Sequence, residues 1–82
     1  MDDREKQIRK DYLGTMLGYL IDKNFGIVDQ LKKLRDEWET NPQEALFYQL
    51  SLQLMEGMNR ANTYYLEWKE LEASQQNDPS QP

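Results

Sequence analysis

The sequence predicts an all-α antiparallel two-helix hairpin, and three observations carry that expectation. Apolar residues recur at alternating steps of three and four over two long stretches, the spacing of a helix seam packed against another helix. One short break, Thr40-Asn41-Pro42-Gln43-Glu44, separates the stretches. Paired in reverse order across that break, the two seams match residue for residue.

The first helix is expected over about 3–39. Asp2 stands three residues before Glu5, the spacing of a capping box, and acids in a first turn complement the helix dipole. Leu13, Leu17, Leu20, Asn24, Ile27, Leu31, Leu34 and Trp38 then form one seam, with Asn24 its single polar member. The heptad phase survives across Gly26, which favours one continuous helix about 55 Å long at ~1.5 Å per residue. The alternative is a kink at 24–26, with Gly26 as a left-handed C-cap.

The break then reads as a stop followed by a start. Asn41 has the chemistry of an N-cap, Pro42 suits the first helical position, and Glu44 lies at capping-box spacing. The second helix is expected over about 42–74. Its seam is Phe47, Leu50, Leu54, Gly57, Ala61, Tyr64, Trp68 and Leu71. A short connection makes the helices antiparallel. Trp38 then meets Phe47, Leu34 meets Leu50, Leu31 meets Leu54, Ile27 lies over Gly57, and Asn24 faces Ala61. The series closes with Leu20 on Tyr64, Leu17 on Trp68 and Leu13 on Leu71. From Ala73 the pattern ends, so residues 1–73 form the hairpin domain and 74–82 a disordered polar tail.

Composition narrows the function. The 82 residues contain no cysteine and no histidine. Disulfides and zinc–thiolate sites are thereby excluded, and the commonest general base and metal ligand is missing. An enzyme, a metal site and a cofactor are not expected. Net charge is −5, and residues 40–82 carry six acids against two bases. No basic stripe is present for nucleic acid or anionic membrane, so neither is an expected partner. Met1–Asp11 is too charged for a secretory signal, and the longest low-charge run, Tyr12–Ile21, is half the ~20 residues a spanning helix needs. A soluble, cytoplasmic protein is expected.

Apolar residues remain after the hairpin is built. Tyr12, Met16 and Tyr19 recur off the first seam; Ile21, Phe25 and Val28 form another flank; Leu46, Tyr48, Leu52, Met55, Met58, Tyr65 and Leu66 lie off the second. Large exposed apolar patches mark interaction sites. The expected protein interface is Tyr12, Gly14, Met16, Gly18, Tyr19, Phe25, Tyr48, Leu52, Met55 and Tyr65. Gly14 and Gly18 have the spacing that lets helices approach closely; the plainer reading is two tolerated glycines costing ~1 kcal/mol each. Asn24 either fixes register in the seam or sits at a wet kink. Glu67, Glu70 and Glu72 suggest a carboxylate set, but a solvated acidic face explains them better.

The expected function is a non-catalytic protein–protein interaction module: an adaptor, small chaperone or regulator. Its partner is a second copy, completing a four-helix bundle, and/or another protein. The alternative is a structural subunit of a larger helical assembly.

Overall fold

The computed structural model describes residues 2–76. Two helices, α1 (Asp3–Asp36) and α2 (Glu44–Gln76), pack antiparallel along their length. The rod measures 64 × 21 × 14 Å. Since one helix with its side chains is ~10–12 Å across, the hairpin is a single helix layer.

The ends of α1 follow local chemistry. The Glu5 amide donates to the Asp2 side chain at 2.8 Å, as the capping spacing requires. Asp3 and Glu5 sit at the positive end of the dipole, and Lys33 and Arg35 at the negative end. The helix is unbroken through Asn24–Gly26, and no described glycine has a positive φ. The left-handed cap at Gly26 is therefore not used; the heptad phase that crosses Gly26 reflects a continuous helix.

Three boundaries differ from expectation. α1 ends at Asp36 rather than 39, and residues 37–40 wind on as a turn. Trp38 donates to the Arg35 carbonyl, and Asn41 donates to the Glu37 carbonyl at 2.8 Å. The Asn41 amide thus closes the end of the first helix. α2 begins only at Glu44, its first helical bond running from the Phe47 amide to the Gln43 carbonyl. Pro42 and Gln43 are spent on reversing the chain. At the other end α2 continues to Gln76, past the expected end at 74. Gln, Ser and Ala tolerate helix, and Ser74 and Gln75 accept hydrogen bonds from Lys6 and Lys10 of α1. The remainder of the expected tail, 77–82, lies outside the described residues.

Packing selects every seventh residue of α1. Leu13, Leu20, Ile27 and Leu34 are its buried side chains, with Leu13 fully enclosed. Ile27 and Leu34 pack with Leu50, and Leu31 and Leu54 close over them. At the turn, Trp38 meets Phe47 edge to face, centroids 5.6 Å apart. At the open end Lys10 lies over the Trp68 ring at 5.2 Å. The alternate seam positions Leu17 and Leu31 are only half-buried, because one partner helix covers one narrow strip.

One pairing differs. Asn24, rather than Ile27, fills the space above Gly57: a Cβ built at Gly57 would clash with the Asn24 amide oxygen and lie 3.0 Å from its Cγ.

The buried strip sets the stability. Leu20→Ala should cost about 2–5 kcal/mol, whereas Tyr19→Ala, on an exposed ring, should stay within about 0.5 kcal/mol. Urea unfolding of both variants at one low protein concentration checks the contrast.

Candidate functional site

A helix turns ~100° per residue, so the core strip divides the remaining surface of the hairpin into two broad sides. On one side, Ile21, Phe25 and Val28 of α1 face Leu54, Met58 and Ala61 of α2 across a groove of about 320 Å³, with Asn24 at its floor. Every wall residue of this groove is apolar. Phe25 is 65% exposed and Met58 58%, so the hairpin itself leaves the groove uncovered.

The apolar groove extends along both helices. Gly14 and Gly18 lie within about 60° of Ile21 around the α1 axis, and Met55, Tyr65 and Tyr48 within about 80° of Met58 around α2. A Cβ added at Gly14 or Gly18 would meet nothing within 4 Å. The α1 half of this side is therefore nearly flat backbone at one end and bulky side chain at the other. Lys69 lies over the Tyr65 ring at 5.9 Å and marks the polar end of the α2 stripe.

The opposite side is mixed. Lys23, Gln53, Glu56 and Arg60 line a smaller cavity of about 110 Å³ that reaches Asn24 and Gly57 from behind. Arg9 bridges the helices there, donating from Nε and Nη2 to the two carboxylate oxygens of Glu67 at 2.9 and 3.0 Å. The guanidinium also lies over the Tyr12 ring at 5.3 Å. Its hydrogen bond to Glu67 raises the Arg9 pKa above an already high ordinary value, against a smaller opposing effect of desolvation. Both side chains are about two-fifths exposed, so the pair orients the open end of the hairpin more than it stabilises it.

This geometry sorts the ten residues expected at the interface. Gly14, Gly18, Phe25, Tyr48, Met55 and Tyr65 share the apolar side. Tyr12, Met16 and Tyr19 lie about 140–180° from Ile21 around α1, on the mixed side with Arg9. Leu52 stands at the outer edge of α2, about 120° from Met58. One continuous surface therefore does not hold all ten. Ile21, Val28 and Met58 were not among the ten, yet they build the centre of the apolar groove. Their signal was present: each sits three or four residues from Phe25 or Met55, on the same helical stripe.

Among the described residues, no three side chains of the His, Cys, Asp and Glu types converge as a metal site. Glu67, one of the three acids considered as a carboxylate set, is held by Arg9. No described helix is long and apolar enough to cross a membrane. Comparison with protein-family models, curated proteins and solved structures finds no match, so the reading of this surface rests on its geometry.

Asn24 stands between the two sides, and its buried amide oxygen has no hydrogen-bond partner among the described residues. Gly57 is what makes room for it. In an Asn24→Ala background, Gly57→Ala should stabilise the hairpin by about 1 kcal/mol, the helix-propensity difference. With Asn24 present the gain should shrink or reverse. Urea midpoints of the four proteins in this cycle measure the coupling, expected to exceed about 0.5 kcal/mol; equal gains in both backgrounds would show that Asn24 and Gly57 do not compete for space.

Proposed function

We propose that this chain is a non-catalytic protein-interaction module that works by laying its apolar side against another protein. The observation that carries the proposal is the uncovered groove of Ile21, Phe25, Val28 and Met58 on a rod one helix thick. Stable domains bury their apolar stripes between packed layers, and this hairpin supplies only one layer. A second copy supplies the other and completes a four-helix bundle. Two-fold homodimers are the commonest oligomers, and chains of this size gain most from the added core. A bundle of this kind suits an adaptor, a small chaperone or a regulator. A cysteine-free composition is compatible with the reducing cytoplasm.

A second reading has a specific observation behind it. Tyr12 and Tyr19 are 48% and 59% exposed on the mixed side, so apolar rings remain after the apolar side is covered. A structural subunit of a larger helical assembly would use both sides at once.

Light scattering and thermal unfolding across a concentration series test the proposal. The expected mass is twice the chain's 9.8 kDa, and Tm should rise with concentration because association stabilises only the folded state. Phe25→Asp should remove both effects while the helical circular dichroism signal of the hairpin persists. Growth beyond a dimer that Tyr19→Asp stops would favour the structural subunit. A folded monomer at every concentration would overturn self-association.

A further inference from the structure

The apolar side has an internal order that a heterologous partner would not require. Along α1, at steps of three and four, it runs Asp11, Gly14, Gly18, Ile21, Phe25, Val28 and Lys32. Reversal about the point between Ile21 and Asp22 carries the acid Asp11 onto the base Lys32. The same reversal carries Gly18 onto Phe25 and Gly14 to within one residue of Val28. Acid falls on base and absent side chain falls on bulky one. A two-fold axis performs this reversal on a second copy, and isologous interfaces demand such self-complementarity.

The second helix agrees. Ile21 and Ala61 line the same groove, so the level of Ile21 on α1 is close to that of Ala61 and Asn62 on α2. Reversal of α2 about the point between Ala61 and Asn62 brings Met58 against Tyr65, a thioether on an aromatic ring, and brings Asn62 within one residue of its own copy, where one amide can donate to and accept from the other. One axis satisfies both helices. It also lies near the middle of the rod, so the two hairpins overlap over almost their full length, loop end over open end.

Two features of the single chain support this arrangement. Gly14 and Gly18 each lower helix propensity, and nothing in the hairpin needs their missing side chains, since the space beside each is open and neither has a positive φ. Lys32 makes no ion pair among the described residues, and the Asp11 carboxylate accepts only from the neutral Gln7 amide at 2.9 Å.

We infer that the occupant of the apolar side is a second copy of this chain, antiparallel to the first, with the two α1 helices meeting at Ile21, Gly18 receiving Phe25 of the second copy and Asp11 facing its Lys32. The inference rests on the self-association proposed above and adds its register. Tyr12 and Tyr19 stay outside the dimer.

The full chain has no cysteine, so single cysteines report the register directly. Ile21→Cys, beside the axis, should cross-link to its own copy with a short bis-maleimide, and Tyr19→Cys, on the far side, should not. Asp11→Lys or Lys32→Asp alone should weaken the dimer roughly tenfold, since the symmetry breaks each charge pair twice. The double variant should return to within about threefold of the original, and it leaves the hairpin core untouched. Sedimentation equilibrium reads the dissociation constants. A dimer in which Ile21→Cys fails to cross-link, or in which the double swap gives no recovery, overturns this register and leaves self-association standing. A chain that sediments as a monomer overturns both.

Discussion

Two helices can bury one strip between them, and the rest of this molecule follows from that limit. Leu13, Leu20, Ile27 and Leu34 recur every seven residues and take the whole interior of α1. The heptad matches the turn of a slightly supercoiled helix, so the strip stays aligned with α2 along the rod. Leu50 of α2 joins the strip, and every other described side chain whose burial is given stays at least partly exposed. In a chain with 38% hydrophobic residues, a large share of the apolar side chains therefore stands outside the intramolecular core.

The centre of the rod shows how tightly the strip is constrained. Gly57 leaves a hole where α2 passes α1, and Asn24 fills it with a polar group whose oxygen finds no partner there. A leucine in its place would be the ordinary choice in a hairpin selected for stability alone. Asn24 also touches both grooves, the apolar one in front and the polar one behind. The same stretch of α1 thus carries the polar member of the seam and the centre of the apolar groove.

Charge divides the labour between the two sides. The Arg9–Glu67 fork, the Lys10–Trp68 contact and the hydrogen bonds of Lys6 and Lys10 to the end of α2 tie the open end together. These polar contacts all lie at the open end of the hairpin. The apolar groove has no charged residue in its lining, and Asp11, Lys32 and Lys69 lie beyond its ends. Depletion of charge at the centre with charge at the rim is the composition of a protein interface.

Much of this was legible in the sequence. The alternating steps of three and four predicted both helices, the reversed pairing predicted the hairpin, and Asp2 with Glu5 predicted the first cap, because these signals are local or depend only on helix periodicity. The turn was harder to read: Asn41-Pro42 has the chemistry of a helix start, yet Asn41 donates its amide to the Glu37 carbonyl after α1 and α2 begins only at Glu44, because the start of the second helix depends on how the chain reverses. The ten residues expected at an interface were chosen for chemistry and for lying off the seam, and off the seam includes two opposite directions. Only packing of the two helices decides which direction is which, since it fixes the angle at which each strip faces its partner. That angle separates Tyr12 and Tyr19 from Phe25 and draws Ile21, Val28 and Met58 into one groove. Periodicity alone determined the two helices and their antiparallel packing, because helix geometry is a property of the chain. The division into an apolar and a mixed side was decided by the tertiary structure, because a side exists only once a second helix defines it.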